Sequence, residues 1–152
     1  MEYEIYQHRQ ADKLLPANIR IEIEGVIRKC CYSTKAGNAS KMRKELTLLL
    51  SEIGWPNKVR IDAVSKISIT SSKKGIGLCL QTGNIGRIYA DLLKLQTIYL
   101  QNKILAGIII LPTRKAAKEM GQNLANYERL IGELQIFDST ITIPLLVIGI
   151  EG

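Results

Sequence analysis

The chain has 152 residues, 46% of them hydrophobic and 23% charged, which is the composition of a globular domain large enough for one hydrophobic core. Its formal net charge of +7 indicates a polyanionic partner, either nucleic acid or an anionic membrane surface. A single histidine, only three cysteines and the lack of a long apolar run argue against an ordinary zinc site and a membrane-spanning helix.

The first third of the chain predicts a strand, a basic segment and a helix. Asn18–Arg28 alternates apolar and polar residues, which is typical of a strand with one wet face, although a helix with an interrupted apolar stripe is the alternative. The basic segment has no acid between positions 28 and 44. Its cations are Arg28, Lys29, Lys35, Lys41, Arg43 and Lys44. The residues from Ala39 to Ile53 carry a helical stripe that Gly54 and Pro56 bring to an end.

The rest of the chain predicts strands that alternate with helices. Ile104–Leu111 is continuously apolar, which is typical of a buried parallel strand, and a strand–helix–strand order of this length requires a crossover. We therefore predict one α/β domain over residues 1–152, with a mixed central sheet flanked by helices. The predicted strands are Val59–Asp62, Lys66–Thr70, a central Gly75–Gln81, Ile104–Leu111 and Thr140–Ile150; the turn is Ser71–Gly75; the helices are Asn84–Lys103, Thr113–Met120 and Asn123–Phe137.

Four residues are candidates for a catalytic site. Asp62 ends a predicted strand, while Cys79 and Gln81 lie two apart on another and so share one of its faces. Glu45, on the preceding helix, can supply a second carboxylate. One or two carboxylates with a substrate phosphate suffice for Mg²⁺, so Asp62 and Glu45 are the predicted metal ligands. A thiol at position 79 is a soft ligand that suits Mg²⁺ poorly.

Each candidate also has a purely structural interpretation. Asp62 can cap a turn, Cys79 can be a small buried hydrophobe, and Gln81 can satisfy backbone groups. Glu45 can form a surface ion pair with a neighbouring lysine, and the basic segment can be a solvated helix face. On the long helix, Arg87 and Asp91 are spaced for an i,i+4 pair.

The segment from Gly75 to Gln96, with Cys79-Leu-Gln81 followed by Gly83-Asn84 and a helix, resembles the core of the PD-(D/E)XK type II restriction endonucleases of the BglII/BamHI type. The resemblance extends back through Glu45, Gly54-Trp55 and Asp62, and forward through the apolar strand. The interval from Glu45 to Asp62 equals that from Asp62 to Cys79, and Gln81 follows by two, as in the metal-site spacing of that group. The chain departs from the group at Cys79, where the group has a second strong metal ligand.

This resemblance implies a Mg²⁺-dependent endonuclease that cuts double-stranded DNA, weakened by Cys79. It also implies a homodimer, because a palindromic site has two symmetric scissile bonds. The residues predicted to contact DNA are Lys35, Lys41, Lys73, Lys74 and Asn84. The alternatives are a catalytically silent DNA-binding member of the fold and a structure-selective nuclease such as a Holliday-junction resolvase. The odd cysteine count without a signal peptide predicts a cytoplasmic location.

Overall fold

The computed structural model describes all 152 residues, and its centre is a mixed sheet of five strands. The strands are β1 (Glu2–His8), β2 (Val59–Arg60), β3 (Ser68–Ile69), β4 (Ser71–Lys73), β5 (Ile76–Leu80), β6 (Ala106–Pro112) and β7 (Leu145–Glu151). The sheet order is β1-β7-β6-β5-β4, and β2 and β3 form a separate two-stranded ladder. The inner strands β5, β6 and β7 are parallel, whereas the edge strands β1 and β4 pair antiparallel to their neighbours.

Five helices cover both faces of this sheet. They are α1 (Ala17–Lys29), α2 (Ala39–Glu52), α3 (Arg87–Leu100), α4 (Arg114–Met120) and α5 (Tyr127–Ile136). Alternate residues of a strand face opposite ways, so Leu78 and Leu80 pack in the core shared with α1 and α2, whereas Cys79 packs in the core shared with α3 and α5. The predicted α/β class with a mixed sheet between helices is confirmed.

The N-terminal region differs from the prediction. Residues predicted as a strand over Asn18–Arg28 form helix α1, which was the alternative. Ile19, Ile23 and Val26 recur at the spacing of one helical face and are buried, whereas Ile21 is 69% exposed. Strand β1 was not predicted, because its polar and aromatic residues at a sheet edge lack a strong apolar alternation.

The predicted turn over Ser71–Gly75 is also partly wrong. Ser71–Lys73 is strand β4, and the turn to β5 consists of Lys74 and Gly75 alone. Both residues have positive φ values (50° and 76°), as a two-residue hairpin turn of type I′ requires. Strand β5 is an interior strand, but β6 occupies the centre of the sheet.

The remaining elements follow the prediction closely. The limits of helices α2 to α5 and of strands β6 and β7 lie within five residues of those predicted, and β6 is parallel to both neighbours, as predicted. None of the five helices has the length and apolar character needed to cross a bilayer.

Candidate nucleic-acid interface

An open cleft of about 1090 Å³ lies at the carboxyl end of β5. One wall is helix α2, the opposite wall is the first half of α3, and the β2–β3 ladder contributes a third side. Ligands of open α/β sheets commonly bind outside the carboxyl ends of the strands, so this is the natural place for a site. The residues that line the cleft are Ala39, Ser40, Arg43, Lys44, Thr47, Leu48, Ser51, Asn57, Lys58, Ser68, Ile69, Thr70, Leu80, Gln81, Thr82, Gly83, Arg87, Ala90, Asp91 and Lys94.

The cleft is strongly basic. Its cationic side chains come from both helices and from the residue before β2: Arg43, Lys44, Lys58, Arg87 and Lys94. Asp91 is the only acidic residue in the lining. A concave surface lined by charges of one sign concentrates the potential, so the cleft attracts a polyanion.

Gln81 and Asp91 form the polar centre of the cleft. The Gln81 amide nitrogen Nε2 donates to Asp91 Oδ2 at 2.6 Å, and the Gly83 N–H donates to Gln81 Oε1 at 2.9 Å. Both residues are buried, with exposed fractions of 6% and 8%. The two hydrogen bonds therefore fix the Gln81 amide against α3. Cys79 also packs on the α3 side of the sheet, so the two side chains face the same way, as predicted.

Three cations surround the Asp91 carboxylate. Lys94 Nζ lies 3.9 Å from Asp91 Oδ1, and the charges of Arg43 and Arg87 also favour its ionised form. Burial has the larger effect and raises the pKa of Asp91 above its ordinary value, although the Gln81 hydrogen bond and the cations oppose that shift. Arg43 is itself held in place, because its guanidinium donates to the Leu80 carbonyl at the end of β5.

The other candidate catalytic residues do not reach this cleft. Asp62 lies in the exposed turn after β2, where its Oδ2 accepts from the N–H groups of Val64 and Ser65 at 3.2 and 2.6 Å. The bond from Ser65 is the main reason that the pKa of Asp62 is lowered. Asp62 thus has the turn-capping geometry that was its alternative interpretation.

Glu45 faces away from the cleft as well. Its Oε2 accepts from Cys30 Sγ at 3.0 Å and from the Cys31 and Tyr32 N–H groups at 2.9 and 3.3 Å. The thiol hydrogen bond is the largest cause of the lowered pKa of Glu45. Glu45 therefore ties α2 to the segment after α1, and the structure does not bring it together with Asp62.

Cys79 lies on β5 under α3 and is 2% exposed. Burial raises the pKa of its thiol well above the ordinary value, and the nearby Asp91 charge adds to that shift. The thiol is thus neutral and apolar in character, as expected for a small buried hydrophobe. A carboxylate at position 79 would therefore face the layer of α3, the helix that carries Asp91.

The four lysines predicted to contact DNA lie outside the cleft lining. Lys73 is held in place, because its Nζ donates to Glu22 Oε2 at 2.8 Å and to the Ile53 carbonyl at 2.7 Å. Lys35, Lys41 and Lys74 are exposed and form no ion pair. Asn84 is exposed at the cleft rim beside Gly83, and its Oδ1 accepts from the Gly86 N–H at 2.9 Å.

The side chains present do not fit a Mg²⁺ site. No group of three or more His, Cys, Asp or Glu side chains is arranged to hold a metal ion. Asp91, the one carboxylate of the cleft, already accepts from Gln81 and faces Lys94, and Arg43 and Arg87 add positive charge around it. A dication would meet net positive charge there, which is the opposite of what a hard-cation site supplies.

Asp91 is a cleft residue that the sequence prediction did not include among the site candidates. The predicted pair with Arg87 is wrong, since the cation within ion-pair distance of Asp91 is Lys94. The available signal was its position three residues after Ile88 and four before Leu95, on the buried face of the helix. An acidic residue on an apolar stripe is rare unless it is paired or functional.

Comparison with known proteins agrees with this architecture. Residues 3–150 match the family described as restriction endonuclease BglII/BglIII. The crystal structure of the restriction endonuclease BglII complexed with a DNA 16-mer superimposes with a TM-score of 0.90 at 17% identity, covering 100% of this chain and 79% of that one. The crystal structure of free BglII gives a TM-score of 0.79 at 17% identity, covering 100% and 80%. No curated protein sequence matches the chain. The predicted restriction-endonuclease-like fold is confirmed.

Proposed function

This chain belongs to the restriction endonuclease BglII/BglIII family, and on that basis we propose that it is an impaired endonuclease of double-stranded DNA. In this proposal it holds the duplex in the basic cleft and hydrolyses phosphodiester bonds weakly. The observation that carries the proposal is the composition of the cleft, which has five cations and a single, buried carboxylate. The cations account for DNA binding, and the lack of a second carboxylate accounts for weak hydrolysis.

DNA binding follows from the charges that line the cleft. Lys44 and Lys58 are exposed and form no ion pair with a carboxylate, so both are free to contact phosphates. Each phosphate that a lysine or arginine neutralises releases a condensed counterion, and this release supplies most of the affinity of sequence-independent binding. The family match and the cationic cleft at the strand ends thus both support double-stranded DNA as the partner.

The weak point of the proposed enzyme is position 79. We assign this position, with Gln81, to the PD-(D/E)XK pattern of the BglII/BamHI type, in which Cys79 replaces a carboxylate ligand. The cleft as it stands lacks the donors for Mg²⁺, so we expect metal-supported hydrolysis to appear once a carboxylate is restored. A glutamate at position 79 would face α3, the helix that carries Asp91, and would supply a second carboxylate on that side of β5.

Plasmid nicking in Mg²⁺ and in Mn²⁺ tests this proposal, with Cys79→Glu as the variant and Cys79→Gln as a control of the same size without charge. We expect Cys79→Glu to cleave at least about tenfold faster than the unmodified chain, the size of effect typical of a repaired metal environment. Asp62→Ala should change nothing, because Asp62 lies in a turn outside the cleft. Equal rates for the unmodified chain and Cys79→Glu would contradict the proposed impairment.

Because the new carboxylate would be buried, the folding and metal binding of Cys79→Glu are measured separately by thermal melting. A carboxylate buried at position 79 carries a desolvation cost that a bound cation offsets, so Cys79→Glu should melt at a lower temperature in EDTA and recover with Mn²⁺, whereas Cys79→Gln should show no metal effect. A Cys79→Glu protein that is folded, binds Mn²⁺ and still does not nick would contradict the assignment of position 79 to the catalytic pattern.

A second candidate is a catalytically silent DNA-binding module, favoured by the three cations that surround Asp91. It predicts duplex binding with no nicking by any variant.

A four-way junction offered beside linear duplex in the same assay tests the junction-resolving alternative, which requires preferential cleavage of the junction.

We further propose a homodimer in the reducing cytoplasm. The dimer is inferred from the two-fold symmetry that palindromic cleavage requires, and sedimentation at micromolar concentration tests it. The location is consistent with the absence of disulfides among Cys30, Cys31 and Cys79.

A further inference from the structure

A second basic hollow, of about 320 Å³, lies beside the cleft. Its polar lining includes three cations and no acidic residue. The lining residues are Ile85, Arg114, Ala117, Lys118, Gly121, Asn123, Leu124, Asn126 and Arg129. Nothing in the cleft chemistry uses these cations, which come from α4 and α5.

The hollow and the cleft share one wall. Gly83 lines the cleft and Ile85 lines the hollow, and residues two apart in a chain are separated by at most about 7 Å. The segment before α5 is hydrogen-bonded along the same wall, with Ala125 N–H to the Gly83 carbonyl at 2.9 Å and Ile85 N–H to the Asn123 carbonyl at 2.8 Å. The two basic surfaces are therefore immediate neighbours. The wall between them consists of residues 83–85 hydrogen-bonded to residues 123–125, and Asn84 lies on its rim.

The charges in the hollow are largely uncompensated. Arg114 and Lys118 are exposed, lie one helical turn apart on α4 and form no ion pair with a carboxylate. Glu128 Oε2 lies nearby, but it accepts from the Arg114 backbone N–H at 2.6 Å. In contrast, Lys115 on another face of α4 pairs with Glu151 at 3.0 Å, and Arg129 pairs with Glu133 at 2.8 Å.

We propose that this second hollow binds backbone phosphates of the same duplex that occupies the cleft, so that the DNA-binding surface crosses the Gly83–Ile85 wall onto α4. The inference rests on the proposed function, because it presumes a duplex in the cleft. The phosphates of each strand follow one another every ~3.4 Å along the helix axis, so a bound duplex presents further phosphates within the width of the wall. Arg114 and Lys118 are the residues assigned to contact them.

Fluorescence anisotropy with a labelled duplex of about two helical turns tests the proposal in EDTA over a range of salt concentrations. The variants are Lys118→Gln for the hollow, Arg87→Gln for the cleft, and both together. Lys115→Gln is the matched control, because it removes the same charge from the same helix outside the hollow. All the substituted side chains are on the surface, so the folded state is retained.

We expect Lys118→Gln to weaken binding about five- to tenfold near 0.1 M salt and to reduce the slope of log K against log[salt] by about one. Arg87→Gln should do the same, and the double variant should show both losses. Lys115→Gln should match the unmodified chain. If Lys118→Gln also matches it while Arg87→Gln weakens binding, the extended surface is refuted and the cleft stands. If neither variant weakens binding, the proposed function itself fails.

Discussion

Two aspartates of this chain show that environment, rather than identity, decides the role of a residue. Asp62 is exposed and accepts two backbone N–H groups, which lower its pKa. Asp91 is buried beside Gln81, and burial raises its pKa. The first stabilises a turn as a carboxylate, whereas the charge of the second is opposed by burial. The buried aspartate is therefore the one whose ionisation bears on the cleft.

Replacing Asp91 by asparagine is expected to stabilise the fold at neutral pH. The raised pKa means that the folded state binds this proton more tightly than the unfolded state, whose value is near 3.8. The free energy of unfolding therefore falls as pH rises from the unfolded pKa to the higher folded pKa of Asp91. Above the folded pKa the full destabilisation from the buried charge is present. The asparagine side chain would still accept from Gln81 without the charge. Thermal melting should show a rise of about 2–4 °C, the shift that ~1 kcal/mol produces in a chain of this size.

Asp12→Asn is the control for this prediction, since it removes the same charge from an exposed aspartate and should leave the melting temperature unchanged. As pH rises through the mildly acidic range, the free energy of unfolding should fall more steeply for the unmodified chain than for the Asp91→Asn variant. A lower melting temperature for Asp91→Asn would mean that attraction to Lys94 and the neighbouring arginines outweighs the cost of burial.

Among the elements, strand β7 and helix α5 approach each other closely at Gly149. Gly149 on β7 faces the Tyr127 ring, and a Cβ at position 149 would lie 2.6 Å from Tyr127 Cγ and 2.9 Å from its Cβ. Tyr127 begins α5 and is 5% exposed, so neither it nor the strand can move aside easily. This glycine therefore allows α5 to pack closely against β7.

Gly149→Ala is therefore expected to destabilise the protein by about 1–3 kcal/mol, the usual cost of overpacking a core. Gly132→Ala serves as the matched comparison, because Gly132 lies inside α5 with nothing within 4 Å of its added Cβ. That substitution should stabilise the helix by about 0.5–1 kcal/mol. Urea denaturation of both variants measures the difference, and equal effects of the same sign would refute the close-packing argument.

For the molecule as a whole, five of the 21 lysine and arginine side chains line the opening that the layers leave at one end of the sheet. Helices α2 and α3 lie on opposite faces of the sheet, and their cationic side chains meet at the carboxyl end of β5. Lysines elsewhere, such as Lys73 and Lys115, are held by Glu22 and Glu151. The fold thus brings five cations from separate elements to one cleft.

Duplex binding should consequently depend steeply on salt. If the five cleft cations each neutralise one phosphate, log K should fall against log[NaCl] with a slope of about −4 to −5. Contacts in the second hollow would make the slope steeper. Anisotropy titrations between low and moderate salt measure it. A slope near zero would show that DNA does not occupy the basic surface.

Sequence alone predicted much of this fold, because the signals were local. The apolar run of β6, the stripe of α2 and the crossover order identified a parallel core between helices. It did not predict α1, where alternating isoleucines and glutamates imitate a strand until Ile19, Ile23 and Val26 meet the sheet. It also missed β4, since three residues become a strand only by pairing with β5.

For the site, the sequence determined that Gln81 and Cys79 share one face of β5 and that a basic helix precedes them, because strand alternation and charge are local properties. Only the tertiary structure decided which charges meet. It turned Glu45 toward Cys30, left Asp62 in a turn, and brought Asp91 against Gln81 from a helix ten residues further along. Such contacts depend on how layers pack across the sheet, and the spacing of residues along the chain does not encode that geometry directly.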